Sequence, residues 1–211
     1  MDLSLPAIRV LGALMEKART TPESYPLTLN ALVIACNQKT SRDPVTDYDG
    51  DEVLDALEEL RENHLAMRVD MAGARTTKFR ENASRVWELA REEYALLAVL
   101  MLRGPQTTGQ LRQRCERLYP FAELPQVNDW LQRMQHRDEE LHELVRPLGR
   151  GHGSKEIRFV HTLAPHKESI PEKEPAAPAG NRSGKTDLSE RLDRLEKRLQ
   201  DLETLINEIT S

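Results

Sequence analysis

The side chains best suited to chemistry in this sequence are amides and guanidiniums that follow residue 111. Asn and Gln can pair with adenine edges, and Arg can pair with guanine edges or with phosphates. Around the apolar positions Val127, Leu131 and Met134, helical spacing places a polar set on the opposite face: Gln126, Asn128, Gln132, Arg133 and Gln135. Two arginines precede this segment, Arg112 and Arg114. These types favour contact with DNA.

Further basic residues accompany two predicted β-hairpins. The second hairpin carries Arg150, His152, Lys155 and Arg158, and the first carries Arg75 and Lys78. Gly149, Gly151 and Gly153 would let the tip of the second hairpin approach a phosphate backbone closely. We predict DNA contact by these residues together with the polar set. A solvated face without any ligand is the alternative, because it uses the same residue types.

Catalysis and metal binding find little support in the pattern. The sequence holds no HExxH, GxSxG, Walker or dinucleotide motif, and its six histidines are scattered. Cys36 and Cys115 lack CxxC spacing, so neither a disulfide framework nor a zinc site has its minimum residues. We predict no enzyme activity, no cofactor and no metal, and we interpret both cysteines as buried small hydrophobes.

The elements that must position these side chains form a repeated pattern. The first copy begins with an amphipathic helix over Leu5 to Arg19, with Ser4 as N-cap. Thr28 can cap a second helix, whose predicted buried side holds Leu29, Leu32, Val33 and Cys36. A third helix has the apolar stripe Val53, Leu54, Leu57, Leu60 and Leu65. Alternation over 65–71 and a return over 76–80 then predict a hairpin.

The same order of elements follows in the second copy. An apolar helix over Tyr94 to Leu102 stops at Gly104, and Thr107 or Thr108 caps a helix that runs to about Leu118. The third helix and a hairpin over 144–148 and 156–162 complete the pattern. We predict a mainly α fold with small β-hairpin wings (α+β), made of two tandem winged-helix domains over 1–90 and 91–165. The connection over 87–93 lacks Gly and Pro, which predicts a defined orientation between them.

The C-terminal segment shows a separate organisation. Residues 166–186 are rich in Pro, Ala, Gly, Lys and Glu, which predicts a disordered linker. Residues 187–211 contain a heptad seam: Leu188, Leu192, Leu195, Leu199, Leu202, Ile206 and Ile209. In a parallel dimer Arg191 would face Glu196 of the partner, whereas an antiparallel pair would set like charges together. We predict a homodimer through a parallel C-terminal coiled coil; the alternative is a helix that docks on its own chain.

Charge distinguishes the two predicted domains and leaves two functions open. The third helix of the first domain is acidic, with Asp51, Glu52, Asp55, Glu58, Glu59 and Glu62 around Arg61. Phosphate would be repelled there. The loop before it gathers candidate contact residues: Asn37, Gln38, Lys39 and Arg42. One hypothesis is a dimeric DNA-binding or regulator-like protein led by the second domain. The other is a protein-interaction scaffold that uses the acidic helix and touches no nucleic acid.

The remaining composition bears on location. The net charge is −5, and charged residues make up 31% of the chain against 4% aromatic residues, which is typical of small helix-rich modules. No basic, apolar leader precedes the first helix, and the longest strongly apolar run, Tyr94 to Leu102, is too short to span a bilayer. We predict a cytoplasmic protein without membrane contact.

Several long strings of residues also resemble a known family. They cover 21–32, 35–39, 41–45, 102–107 and 109–112, and include Thr21-Pro22-Glu23-Ser24-Tyr25-Pro26 and Leu102-Arg103-Gly104-Pro105. From about Leu5 to Ala164 the sequence is similar to the YceH-like family of uncharacterised bacterial proteins. The resemblance implies tandem winged-helix domains, and it implies no activity, ligand or catalytic residue.

Overall fold

The first helix begins at Leu5, as its N-cap and the proline in its first turn predict. Ser4 is extended, and its side chain accepts a hydrogen bond from the Ala7 amide, while Pro6 occupies the first turn. The computed structural model describes residues 2–70, 76–137, 143–148 and 156–164. All of these residues belong to one compact unit.

The first repeat contains three helices and three short strands in the described residues. Its elements are α1 (Leu5–Thr20), β1 (Leu27–Thr28), α2 (Leu29–Cys36), α3 (Gly50–Glu62), β2 (Ala66–Val69) and β3 (Lys78–Glu81). A capping box starts α3, because Asp49 accepts from the Glu52 amide and the Glu52 side chain accepts from the Asp49 amide. A short helix, α4 (Ala83–Val86), follows β3.

The second repeat has the same order of elements. They are α5 (Arg91–Arg103), β4 (Gln106–Thr107), α6 (Thr108–Arg114), α7 (Leu124–Gln135), β5 (Val145–Leu148) and β6 (Arg158–His161). Gly104 ends α5 with a φ of 65°, a conformation that glycine adopts without strain. The described chain is therefore α+β, as predicted, with small antiparallel sheets.

Each repeat closes its hairpin into a sheet of three strands. The strand orders are β1-β3-β2 and β4-β6-β5, and all pairs are antiparallel. Thr28 lies opposite Lys78 in the first sheet, and Thr107 lies opposite Arg158 in the second. Both threonines also cap the following helix. The register therefore places one cation beside the start of α2 and another beside the start of α6.

The core is continuous between the two repeats, because α1 packs against α5. Residues 7–15 of α1 and 93–102 of α5 are buried on every side. The apolar face of the amphipathic α1 is buried as predicted, but the opposite face over residues 7–15 is buried as well, because α5 of the second repeat packs on α1. A Cβ at Gly12 would lie 3.0 Å from the Leu102 side chain and 3.1 Å from the Met101 Cβ. The helices thus approach each other closely at Gly12.

Hydrogen bonds also join the two repeats. The Leu3 amide donates to the Leu163 carbonyl at 2.7 Å, and the Asp43 amide donates to the Leu102 carbonyl at 2.9 Å. The buried Tyr94 hydroxyl donates to the Met15 carbonyl at 2.8 Å. These bonds join segments far apart in sequence, so they hold the two repeats in a defined orientation.

Several details of the predicted elements need correction. Leu54 is 45% exposed, and Ala56 takes its place in the buried face of α3. Leu65 is buried but lies beyond the end of α3. Leu29 and Val33 are only partly buried, and α6 ends at Arg114, short of Leu118. The two-residue strands β1 and β4 and the helix α4 were not predicted.

Some predicted features fall outside the described residues. These are the hairpin tips over 71–75 and 149–155, the linker over 166–186 and the heptad seam over 187–211. Within the part of the chain that the structure describes, no helix has the length and apolar character needed to cross a membrane.

Candidate nucleic-acid interface

The start of α7 is fixed by an arginine of the preceding helix. The Arg112 guanidinium donates to the carbonyls of Phe121 and Ala122, at 3.3 and 2.8 Å. The Gln126 side chain accepts from the Ala122 amide at 3.2 Å. Two residues predicted to contact DNA thus hold the turn before α7, although Arg112 and Gln126 both remain exposed. These hydrogen bonds fix the turn before α7 and therefore the direction in which the helix starts.

The predicted division of α7 into two faces is confirmed except at Gln135, which is partly buried and donates to the Leu131 carbonyl at 2.9 Å. Val127, Leu131 and Met134 are fully buried, whereas Asn128 and Gln132 are exposed. The exposed Arg133 guanidinium lies 4.6 Å from the centre of the Trp130 ring, which restrains it through a cation–π contact. The outer face of α7 therefore presents the amides of Asn128 and Gln132 and the Arg133 guanidinium, together with the exposed carboxylate of Asp129.

A groove joins α7 to strand β6. Its volume is about 430 Å³, and its lining includes Thr108, Leu124, Asn128, Ile157 and Phe159, with Glu156 as an acidic neighbour. Arg158, between Ile157 and Phe159, is exposed at the start of β6. It lines the cleft at the boundary with the first repeat and not this groove, because successive strand residues point to opposite faces. The structure therefore places Asn128 of α7 and the beginning of β6 on the same side of the second repeat.

Arg114 points to a different surface. It is half-buried, and its guanidinium bonds to the side-chain oxygen of the buried Gln106. It lines a polar cleft at the boundary with the first repeat, together with Lys17, Arg103 and Arg117. Arg114 is thus separated from the α7 face with which the sequence grouped it.

The first repeat presents a different surface at the equivalent elements. The exposed carboxylates of α3 are Asp51, Glu52, Asp55, Glu58 and Glu62. Glu59 is occupied within the fold, because it accepts from the Ser4 amide at 2.8 Å and from the Ser4 hydroxyl at 2.5 Å. Leu54 lies exposed among these acids. The predicted wing residue Lys78 is half-buried at the register position that corresponds to Arg158.

The side chains of the loop after α2 are mostly engaged in hydrogen bonds within the protein. Asn37 donates to the Tyr48 carbonyl at 2.7 Å and accepts from the Tyr48 amide at 2.9 Å. Arg42 is 5% exposed, and it donates to both carboxylate oxygens of Glu16 and to the Ala35 carbonyl. The Gln38 side chain accepts from Arg42 at 3.1 Å. Of the four predicted contact residues, only Lys39 is fully exposed.

Four of the predicted contact residues lie outside the described residues: Arg75, Arg150, His152 and Lys155. Their participation stays a prediction.

The two cysteines occupy equivalent places at the ends of α2 and α6. Both are free and fully buried, which confirms their interpretation as small hydrophobes. Burial raises the pKa of Cys36 and of Cys115 to about 12. Neither thiol is therefore prepared for nucleophilic chemistry at neutral pH. In the described ranges no group of three or more His, Cys, Asp or Glu side chains is arranged to hold a metal.

Sequence reasoning missed two arginines at the boundary between the repeats. Arg9 is 5% exposed, and Arg103 is half-buried at the end of α5. The uninterrupted apolar run from Tyr94 to Leu102 was the available signal, because a helix that is apolar all round must be covered all round. That covering partner is α1, which brings Arg9 inside.

These features define an α+β protein built on a repeated helical unit, and comparison with known proteins identifies its family. A family model described as "Protein of unknown function, DUF480" matches residues 3–154. The chain belongs to this family of bacterial proteins, whose curated members are named UPF0502 proteins. The resemblance to the YceH-like family is consistent with this result.

The relatives extend along most of the chain. A UPF0502 protein of Albidiferax ferrireducens is 42% identical over 202 residues, covering 95% of this chain and 86% of the relative. A UPF0502 protein of Cellvibrio japonicus is also 42% identical, over 205 residues, with 94% and 89% covered. A UPF0502 protein of Paracidovorax citrulli is 50% identical over 156 residues, covering 74% of this chain and 66% of the relative.

Proposed function

We propose that this chain is a tandem winged-helix protein that binds double-stranded DNA through its second repeat. The order helix, strand, helix, helix, strand, strand in each repeat matches the winged-helix arrangement. In helix-turn-helix proteins the last helix lies in the major groove. The observation that carries the proposal is the outer face of α7, where Asn128, Gln132 and Arg133 are exposed and Asn128 shares a groove with the start of β6.

Each element has a distinct part in the proposed contact. Asn128 and Gln132 read base edges, because a carboxamide can donate to and accept from adenine at once. Arg158 meets a phosphate from the start of β6, together with the predicted contacts of Arg150 and Lys155. Arg112 acts indirectly by fixing the turn that sets the angle of α7.

The charge of the last helix in each repeat, α3 or α7, indicates which repeat makes the main contact with DNA. Helix α7 carries one acid, Asp129, and one base, Arg133, so its formal charges balance. Helix α3 carries six carboxylates and a single arginine. Phosphates repel such a surface at short range, since screening is incomplete within about 8 Å at physiological salt. The first repeat therefore positions the second one or meets another partner.

Paired substitutions in α7 and α3 test this assignment. We expect Asn128→Ala with Gln132→Ala to weaken binding to a duplex rich in A·T pairs about tenfold or more, as lost contacts to adenine cost roughly 1–3 kcal/mol each. The matched control is Glu58→Ala with Glu62→Ala, which should leave affinity equal or slightly higher. Fluorescence anisotropy measures both. Equal affinity of the α7 variant and the unmodified chain would contradict the proposal.

One observation favours a second candidate function, protein binding by α3. Leu54 is 45% exposed in the middle of the acidic face, so it offers an apolar anchor surrounded by carboxylates. A basic amphipathic segment would match such a surface. Under this hypothesis Leu54→Asp abolishes capture of the partner while Asn128→Ala does not, and no DNA binding is found at low salt.

Dimerisation through the C-terminal heptads is part of the proposal. A parallel pair would place two copies of the second repeat on one duplex and raise their effective affinity. Removing residues 166–211 should lower the mass in solution from dimer to monomer. Light scattering checks this, and an unchanged mass would contradict it.

A further inference from the structure

A cleft of about 350 Å³ lies at the boundary between the two repeats. It is bordered by α1, by the loop between α2 and α3, by the end of α5 and by β6. Its volume lies in the range of about 300–1,000 Å³ that is usual for small-molecule sites, and such sites favour boundaries between modules.

The walls of this cleft are largely apolar. Leu5 and Ile8 of α1 face Met101 of α5, and Tyr48 and Pro105 complete the apolar part. Leu5 is 70% exposed, the highest value among the large exposed hydrophobics of the described residues. Covering an exposed leucine with an apolar group removes apolar surface from water, which favours binding of that group. The cleft therefore suits a ligand with an apolar body.

The charged residues of the cleft are mostly cations. Arg9, Arg103 and Arg158 line it, and His161 lies at its edge. Asp43 is the one carboxylate among the described residues of the lining. Positive charge thus exceeds negative charge at a partly enclosed site, where Coulomb interactions are stronger than in bulk water.

Arg9 is the most informative of these cations. It is 5% exposed and donates only to neutral acceptors: the Pro44 carbonyl at 2.7 Å, the Cys36 carbonyl at 3.3 Å and the Thr46 hydroxyl at 3.4 Å. Its Nε has no hydrogen-bond partner, and no carboxylate of the described residues lies within 4 Å of it. A buried cation without a counter-ion is unfavourable.

Comparison with Arg42 shows what Arg9 lacks. The two side chains are equally buried, but Arg42 is paired with both oxygens of Glu16. Burial, and then the nearby Arg42, lower the pKa of Arg9. Burial and the nearby Arg114 likewise lower the pKa of Arg103. Burial is the larger cause in both cases and a neighbouring arginine adds to it, while Asp43 acts in the opposite direction on both groups.

We propose that this cleft binds a small organic anion with an apolar body, of the class of aromatic carboxylates. The carboxylate supplies the negative charge that Arg9 and Arg103 lack, and the ring covers Leu5 and Ile8. The neighbouring polar cleft suits such a ligand less well, because its volume is only about 130 Å³ and the Glu16 carboxylate lines it beside Lys17, Arg114 and Arg117. The two clefts share Arg103.

Titration with benzoate tests the proposal on the full chain. We expect saturable changes in the amide NMR signals of Leu5, Ile8 and Met101. Benzyl alcohol, which keeps the ring and loses the charge, should bind at least tenfold more weakly. Acetate, which keeps the charge and lacks the ring, should also bind at least tenfold more weakly than benzoate. Equal binding of either comparator, or no saturable change with benzoate, would overturn the proposal.

Variants locate the site independently of these comparators. Leu5→Asp introduces a like charge at an exposed position, so the fold is retained and benzoate affinity should fall at least tenfold. Arg103→Gln should give a similar loss. Arg117→Gln is the matched control, because Arg117 lines only the polar cleft, and its affinity should be unchanged. Unchanged affinity in Leu5→Asp, or an equal loss in Arg117→Gln, would place the binding elsewhere and overturn the proposal.

Discussion

The two repeats have the same element order and strand register, yet they present different surfaces. Lys78 and Arg158 occupy corresponding positions, each opposite the threonine that caps the next helix. The last helices differ in charge, since α3 is acidic and α7 is balanced. Caps and apolar spacing determine the common fold, whereas exposed positions can diverge with little effect on stability. Function is therefore expected to differ between the repeats.

The largest expected effect concerns the loop that only the first repeat has in this form. Arg42→Met should destabilise the chain by about 3 kcal/mol, because it leaves the partly buried Glu16 with only its longer contact to Lys17, at 3.8 Å, and removes the hydrogen bonds to the Ala35 carbonyl. Urea unfolding measures the change. Lys39→Met on the same exposed loop is the control and should stay within about 0.5 kcal/mol. A small effect at Arg42 would mean that this ion pair does not stabilise the loop.

The next effect tests how closely the two repeats pack against each other at α1 and α5. Gly12→Ala should cost about 1–2 kcal/mol, since the added Cβ would meet the Leu102 side chain at 3.0 Å. Gly109→Ala in α6 is the matched change, because the nearest atom to its Cβ is 3.9 Å away. It should stabilise the chain by about 0.5–1 kcal/mol. Equal effects in urea unfolding would contradict the close approach of α1 and α5.

A charge reversal at corresponding strand positions compares the repeats directly in DNA binding. Arg158→Glu should weaken binding to mixed duplex about tenfold and reduce the salt dependence, because a phosphate contact is lost. Lys78→Glu should have a smaller effect, since Lys78 is half-buried and belongs to the repeat whose last helix is acidic. Anisotropy titrations check both. A larger loss of affinity from Lys78→Glu than from Arg158→Glu would indicate that the first repeat makes the main contact with DNA.

The smallest difference is expected at the cysteines, where the repeats are alike. Burial raises the pKa of both thiols to about 12, so neither should react with a thiol reagent at pH 8 until the chain unfolds. The unfolded chain loses these protons near pH 9 and the folded chain only near pH 12. Stability should therefore fall as pH rises above about 9. Fast labelling of one native thiol would show that one repeat opens more readily.

The sequence predicted the elements whose signals are local. Ser4, Thr28 and Thr107 cap helices as their types require, and the stripe of Val127, Leu131 and Met134 is buried. The outer face of α7 could be predicted for the same reason, because opposite faces of a helix follow from its period.

The remaining features depend on contacts between distant segments. Strands β1 and β4 have only two residues each, too few for an alternating pattern. The burial of Arg9 follows from α5 packing on α1, and the burial of Arg42 follows from Glu16 in another element. Leu54 matched the helical stripe yet remains exposed, since period alone does not show how wide the covered face is.

Binding of the full chain to mixed-sequence duplex DNA, measured across salt concentrations, tests the central claim most directly. If the second repeat contacts phosphates, affinity falls linearly with salt on logarithmic axes, with a slope of about −0.9 for each phosphate neutralised. Reversing Arg158 reduces that slope. If no binding is detected at low salt, or if the slope is near zero, the chain does not act through DNA, and the acidic face of α3 becomes the surface to follow.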